Sequence, residues 1–551
     1  MMLVSIWPVR PMTLLSTTRY SIGRRTLAHN LRGLIFILAS GLLAWQLSRA
    51  VLDDQLDSLV WILLFVVGAG FVIIVMNDWQ KGVYCFLFCL LFEDLFRKYL
   101  GNNLALFFAK DMVAVLVYVS FLAQLRRGKV TFSRPPVLLP VLMLAWFAFG
   151  QIFNPASPSL WFGFLGFKLF FFYFPFVFIG YSLIGSEAEL KRFFKVTVGL
   201  IFVIVSLGIA QSILGHTFLN PTALADEVKN SAALYRVSPI TGALIYRPCS
   251  VFVSTGRYVD FLMVAWVLTL GFTGYLLLRV RRGRLWAFGA TVLVSAGAFL
   301  TGSRGCFLWT FISALAASVA FLWGAPWKQR EVVRVFRSIA RIAVGMVLAI
   351  VLLDAIFPEA IGARVALYAE TLLPDSRTSE LRARTWDYPI TNFLGAFDDD
   401  RWLIGHGIGT TSLGTQYVSK IFRVHPVKGV ESGFGTLVVE MGIGGLALWF
   451  IMSGAILISA WRIVGRLRGQ PWFPIGFAIF WYSFVLLFPS TYGGLQPFED
   501  FLLNAYLWIL LGILYRLPTL AESTQPATAR HQEGNFWARE SVSSLTRSTA
   551  S

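Results

Sequence analysis

Charge is what this sequence has least of. Charged residues fill 14% of its 551 positions, whereas a soluble domain carries about a quarter, so an ordinary water-soluble enzyme is excluded. Histidine is scarce, with five in the chain, and there are four cysteines: Cys85, Cys89, Cys249 and Cys306. Cys85 and Cys89 lie one helical turn apart in an apolar run and read as small buried hydrophobes. No metal-ligand spacing is present among the four, while a Cys249–Cys306 disulfide facing an oxidising compartment stays open. A small-residue cleavage site is also missing from the basic, proline-broken start of the chain. Residues 1–32 therefore read as a cytoplasmic tail rather than a removed signal.

What the sequence has in abundance is apolar surface: 57% of residues are hydrophobic, with 50 Phe and 19 Trp. Runs of roughly 17–25 apolar residues, enough to cross a bilayer, recur from Leu34 to Leu514. They give about fourteen candidate helices, centred near residues 42, 67, 88, 114, 144, 172, 204, 267, 293, 314, 348, 445, 481 and 507. The third is the weakest. The expected fold is an all-α, polytopic membrane bundle, because helices of this length satisfy their own backbone within lipid.

Net charge is +18, which in such a chain first reports topology and gives no reason to invoke nucleic acid. With the N-terminus inside, the short inner connectors hold 19 Lys and Arg and the short outer ones about three, the asymmetry expected of cytoplasmic loops. Both termini are then cytoplasmic. The chain divides into the tail 1–32, membrane helices over 33–357 with an outer loop at 215–256, a large outer loop at 358–430, membrane helices over 431–517, and a tail at 518–551. That tail is rich in Ser, Thr, Ala and Gln, the composition of a disordered segment. The 358–430 loop balances eight basic against eight acidic residues and carries Trp386, Tyr388, Phe393, Phe397, Trp402 and Tyr417, so it is expected to be partly helical. Loops of this length are usually functional.

Several charges fall inside candidate spans: Lys110, Asp111, Lys168 and Glu440. An unpaired charge there costs at least a few kcal/mol. At 1.5 Å per residue all four sit roughly 10–15 Å below the outer surface, and Arg257, Asp260, Arg304 and Asp354 fall near the outer ends of their spans. Snorkelling or a structural Lys–Asp pair explains any one of them. Their common side points instead to a polar cavity opening outward under the two long loops, with Lys110, Asp111, Lys168 and Arg257 as candidate substrate-binding residues. For Glu440 a structural role, holding a helix or a cationic partner, is the preferred reading.

The motifs lie toward the same side. Thr301-Gly302-Ser303-Arg304-Gly305 is a tight turn that holds one guanidinium at the membrane surface, where it suits a phosphate oxygen and equally suits a snorkelling arginine. Downstream come Arg382-Ala383-Arg384-Thr385-Trp386, then Leu403-Ile404-Gly405-His406-Gly407-Ile408-Gly409, then Glu431-Ser432 leading to Glu440, Gly442 and Gly445. The 405–409 glycines resemble a phosphate cradle, but no G-K-[ST] follows and a tight turn is preferred. Asp398-Asp399-Asp400 reads as solvated surface, and no metal or cofactor is assigned.

In this order, over roughly residues 240–460, the series resembles the bacterial O-antigen polymerase and O-antigen ligase superfamily. Ligases of that superfamily carry His followed by Asn, Ser or Gln, nine residues, then Gly-x-x-Gly; here Ser432, Gly442 and Gly445 fit, and Glu431 stands where the histidine is expected. This departure favours the polymerase branch. The resemblance implies a metal-independent glycosyltransferase of the inner membrane. Its partners would be an undecaprenyl-diphosphate-linked glycan, membrane lipid and, as a candidate, a chain-length regulator. It implies catalytic roles for Arg304 and Arg384 on the diphosphate and for Glu431 as base, with Arg247, Arg257 and Arg382 in reserve and His425 as a stand-in for the missing histidine. Ligase activity, on lipid or protein, and a flippase of polyprenyl-linked sugars are the alternatives.

Overall fold

Apolar runs of this length can bury their backbone in lipid only as helices, and among the described residues the architecture is all-α apart from one small hairpin. The computed structural model describes residues 66, 68–70, 72–100, 104–220, 234–238, 242, 244–279, 283–326, 337, 344, 348, 351, 355–356, 358–372, 387–412 and 415–524. The first candidate span, most of the eleventh, Asp354, Arg382 and Arg384 lie outside them.

Two compact units divide the chain, Met1–Asp78 and Trp79–Ser551. The first contains a short apolar helix at Gly68–Asn77. The second is built from α1 (Trp79–Leu100), α2 (Leu104–Arg126), α3 (Leu138–Gln151), α4 (Leu160–Phe171), α5 (Phe176–Leu183), α6 (Glu187–Leu214), α7 (Thr255–Arg279), α8 (Arg284–Leu300), α9 (Arg304–Gly324), α10 (Pro358–Leu372), α11 (Tyr388–Gly395), α12 (Thr415–Phe422), α13 (Gly433–Arg466), α14 (Phe473–Val485) and α15 (Phe501–Thr524). Between α6 and α7, β1 (Tyr235–Val237) pairs antiparallel with β2 (Leu244–Tyr246), Arg236 opposite Ile245.

Among the described residues eight helices are long and apolar enough to cross a membrane, so the chain is a multi-pass membrane protein. α3 and α8 are apolar but shorter. α1 has the length yet is not among the eight, because Glu93, Asp94, Arg97 and Lys98 crowd its last turns. The described residues thus give fewer clear spans than the fourteen expected. Helix starts follow local chemistry: Ser186 and Glu189 form a reciprocal capping box on α6, and Ser159, Ser303 and Ser432 cap α4, α9 and α13. α15 continues through Pro518 to Thr524, past the boundary at 517.

The core lies along α7 and α15, whose apolar windows are 78% and 83% buried, against 22% for α9 at the periphery. α5 and α15 meet through Gly180 and Gly512. A Cβ at either would fall 2.2 Å from the carbonyl oxygen of Ile509 or Val177, so only glycine admits this approach, the small-residue packing that joins helices in lipid. Two membrane helices are broken. α4 and α5 form one span interrupted by turns at residues 172–175 ahead of Phe176, and α13 is kinked at Gly442, which takes φ 69°.

Candidate functional site

Three of the charges that the sequence places inside spans, Lys110, Asp111 and Lys168, come together at one end of the bundle, with partners the sequence did not single out. Lys110 Nζ lies 2.8 Å from Glu93 and is sandwiched between the rings of Phe107 and Phe501, 4.1 Å from each centroid. Lys168 pairs with Asp111, whose other oxygen accepts from the Tyr173 hydroxyl at 2.6 Å. Arg257 reaches Asp94 at 2.8 Å and Asp500 at 3.5 Å, and Arg97 also meets Asp94, at 3.1 Å. Asp500 is shared: its Oδ1 accepts from the Leu502 N–H at 2.8 Å and so caps α15.

This network also pins the loop that enters α7. Lys98 donates to the Ser250 carbonyl at 2.8 Å and touches Cys249 Sγ at 3.3 Å. Gln211 accepts from the Cys249 and Ser250 N–H groups at 2.8 and 2.7 Å. Cys249 and Cys306 are both free thiols. Lys110, 1% exposed, offers no cation to an incoming ligand. Where an open polar cavity was expected around Lys110, Asp111, Lys168 and Arg257, the structure has ion pairs that compensate one another, the condition for holding charge in a low-dielectric interior.

A second group differs in sign. The Thr301–Gly302 turn packs on β2, so that a Cβ at Gly302 would lie 3.5 Å from Ile245, and this brings Arg304 at the start of α9 beside Arg247 just after β2. Arg364 of α10 fastens the two segments, donating to the Leu300 carbonyl at 2.9 Å and the Tyr246 carbonyl at 2.8 Å. Burial holds the Arg247 guanidinium below its ordinary pKa; the Tyr368 side chain opposes this and the Arg304 charge adds to it. Burial likewise lowers Arg364. An anion placed beside Arg247 and Arg304 would offset the repulsion that the Arg304 charge exerts on the Arg247 guanidinium.

The third region is the loop after α11, which folds into the break in α13. His406 N–H donates to the Val439 carbonyl and Gly407 N–H to the Glu440 carbonyl, each at 2.8 Å, and Ile443 N–H donates back to Trp402 at 3.1 Å. Glu440, fully buried, accepts from Gly409 N–H, Thr411 N–H and Thr411 Oγ1 at 2.9, 2.9 and 2.8 Å. It therefore holds a loop rather than a cation. Gly442 carries the kink, and a Cβ there would sit 2.3 Å from the Leu403 oxygen. In the superfamily-like spacing, then, Ser432 is a helix cap and Gly442 a docking point.

Glu431 and His425 are exposed; the Glu431 N–H meets Asn392 Oδ1 at 3.3 Å. Asp399, read from the sequence as solvated, accepts the Arg401 N–H at 2.9 Å and pairs with His406 Nε2 at 2.8 Å. Its slight burial raises the carboxyl pKa, but those two hydrogen bonds and the nearby charges bring it below the ordinary value. Sequence reading also passed over Glu93, Asp94, Arg97, Lys98, Arg364 and Asp500. The signal for the first four was the weak hydropathy of α1 itself; Arg364 and Asp500 carried none. No protein-family model matches the chain, and no curated protein matches it significantly.

Proposed function

We propose that the protein is a membrane glycosyltransferase that polymerises undecaprenyl-diphosphate-linked oligosaccharide repeat units at the outer face of a bacterial inner membrane. The observation that carries this reading is the like-charge group of Arg247 and Arg304, braced by Arg364, at the end of the bundle that the positive-inside pattern turns outward. A diphosphate leaving group develops charge as its bond to the anomeric carbon breaks, and fixed guanidinium groups stabilise that charge without a metal. Arg384 is assigned to the same leaving group on the resemblance alone. Glu431, exposed at the mouth of α13, serves the acceptor side.

The ligase alternative rests on the spacing of Ser432, Gly442 and Gly445. The flippase alternative gains one observation, the two broken helices, since transporters bind substrates at such breaks. Here the break at Gly442 is filled by the chain's own Trp402–Gly407 loop, and the buried charges are spent on one another, which supports the enzyme.

The test uses a strain lacking the protein, complemented at matched membrane abundance by wild type, Arg304→Ala, Arg247→Ala or Glu431→Gln. The expected result is accumulation of single lipid-linked repeat units in the deletion and the arginine variants. Long chains that stay on the lipid carrier would identify a ligase, and repeat units trapped on the cytoplasmic face a flippase; either result defeats the proposal.

A further inference from the structure

Within the loop that plugs the α13 break, His406 is the best-fixed titratable group outside the buried network. Its backbone is tied to Val439, its neighbour Gly407 to Glu440, and Gly405 accepts from Asn154 at 3.0 Å. The ring is held as well. Asp399 is ionised and can only accept, so the 2.8 Å contact between Nε2 and Oδ2 places the proton of a neutral imidazole on Nε2 and leaves the lone pair on Nδ1. Among the described residues no group hydrogen-bonds Nδ1, and the side chain retains 18% exposure. An imidazole with one nitrogen oriented by a carboxylate and the other left without a hydrogen-bond partner among the described residues has the arrangement of a general base. Glu431, by contrast, sits exposed at the helix mouth.

We propose that His406, oriented by Asp399, accepts the proton of the attacking hydroxyl in the glycosyl transfer, an inference that rests on the reading above. The acceptor O–H bond breaks and its proton passes to Nδ1. The oxygen forms the new bond to the anomeric carbon, and the bond from that carbon to the diphosphate oxygen breaks with its electron pair leaving on the phosphate. His406 then returns the proton to water. Glu431 is left to hold the acceptor sugar.

Charged groups approach the ring from several elements. Asp399 and Arg401 come from its own loop and Glu440 from α13. Lys428 follows Val427, whose N–H donates to Thr410. Gln151 at the end of α3 and Asn154 in the turn after it are neutral. On α4, Lys168 lies two residues past Gly166, which abuts Gly409, and its charge is paired with Asp111.

The experiment follows chain elongation in spheroplasts of the deletion strain, supplied with their own lipid-linked repeat units and expressing wild type, His406→Gln, His406→Ala or Asp399→Asn at matched abundance. Rates are taken with and without added imidazole. His406→Gln should lose on the order of 10²-fold in rate, and imidazole should restore part of the His406→Ala activity. Asp399→Asn should lose rate as well, because nothing then holds the ring with its lone pair on Nδ1. A His406→Gln rate within twofold of wild type, or no rescue of His406→Ala by imidazole, overturns the dyad and leaves the polymerase reading standing. Absence of elongation by wild type overturns both. Should His406→Gln fail to accumulate, the Asp399→Asn rate decides, and a rate within twofold of wild type overturns the dyad.

Discussion

The buried network of α1, α2, α4, α7 and α15 and the arginine group beside the hairpin lie toward the same end of the bundle, yet they use charge in opposite ways. In the network each described cation meets a carboxylate or a carbonyl of the protein, and aromatic rings close over the ammonium groups. Beside the hairpin, Arg247, Arg304 and Arg364 gather with the same sign. Opposite charges paired inside the protein stabilise a particular helix arrangement, whereas guanidinium groups of one sign drawn together, Arg364 buried and Arg247 and Arg304 half-buried, give this end of the bundle a local positive field that draws anions.

The comparison breaks most sharply at Arg257. Arg257→Met leaves Asp94 and Asp500 without that cation, and removing one partner of a buried ion pair costs about 3–5 kcal/mol. The thermal midpoint in detergent should fall and membrane abundance drop, while Arg304→Ala leaves both near wild type. The arginine group answers in the other readout. Arg304→Ala or Arg247→Ala should lower the elongation rate by about 10²–10³-fold, the scale seen when a preorganised charge stabiliser is removed; a variant with wild-type rate would remove that residue from the site.

Glu440 occupies an intermediate position, buried like the network but bonded to a loop. Glu440→Gln replaces an acceptor facing three donors with an amide, and should cost about 1–3 kcal/mol. It should also open residues 401–411 to protease without releasing the transmembrane core, a pattern that separates loop docking from bundle stability. The smallest effect concerns Asp399. Its carboxyl is held below the ordinary pKa, so the stabilisation is present above the unfolded carboxylate value and is lost as pH falls through the lowered native value. Because the group is about one-third exposed, the gain is under about 1 kcal/mol. It is visible as a difference between wild-type and Asp399→Asn melting temperatures that vanishes in acid.

Much of this was legible in the sequence. The multi-pass helical class follows from run length and composition, and Lys110, Asp111 and Lys168 stand out against their apolar surroundings. Their partners did not, because pairing is a property of the fold: Lys168 and Asp111 are 57 residues apart and Arg257 and Asp94 are 163 apart. Glu93, Asp94, Arg97 and Lys98 were hidden for a different reason, since together they made α1 read as a doubtful span. The α4–α5 interruption falls at Pro175, the N-cap of α5, a helix-breaking residue that the sequence reading did not use, and the α13 kink sits on one glycine in a run that contains several. His406 and Asp399 are only seven residues apart, but an acidic run in a long loop looks the same whether it is solvated or aimed at a histidine.

The glycine contact between α5 and α15 also bears on how the molecule is assembled. Segments leave the ribosome in order, so α15, the most enclosed of the long apolar helices, reaches the membrane after α5 and α7 have already been inserted. Its slot must be occupied by lipid or by loosely spaced neighbours until it arrives. Arrival then brings Gly512 against Val177, Ile509 against Gly180, and Asp500 to Arg257 in one step. Final consolidation of the bundle is thereby deferred to the insertion of this helix, and a defect at Gly512 would be felt as a failure of biogenesis before it was felt as a loss of catalysis.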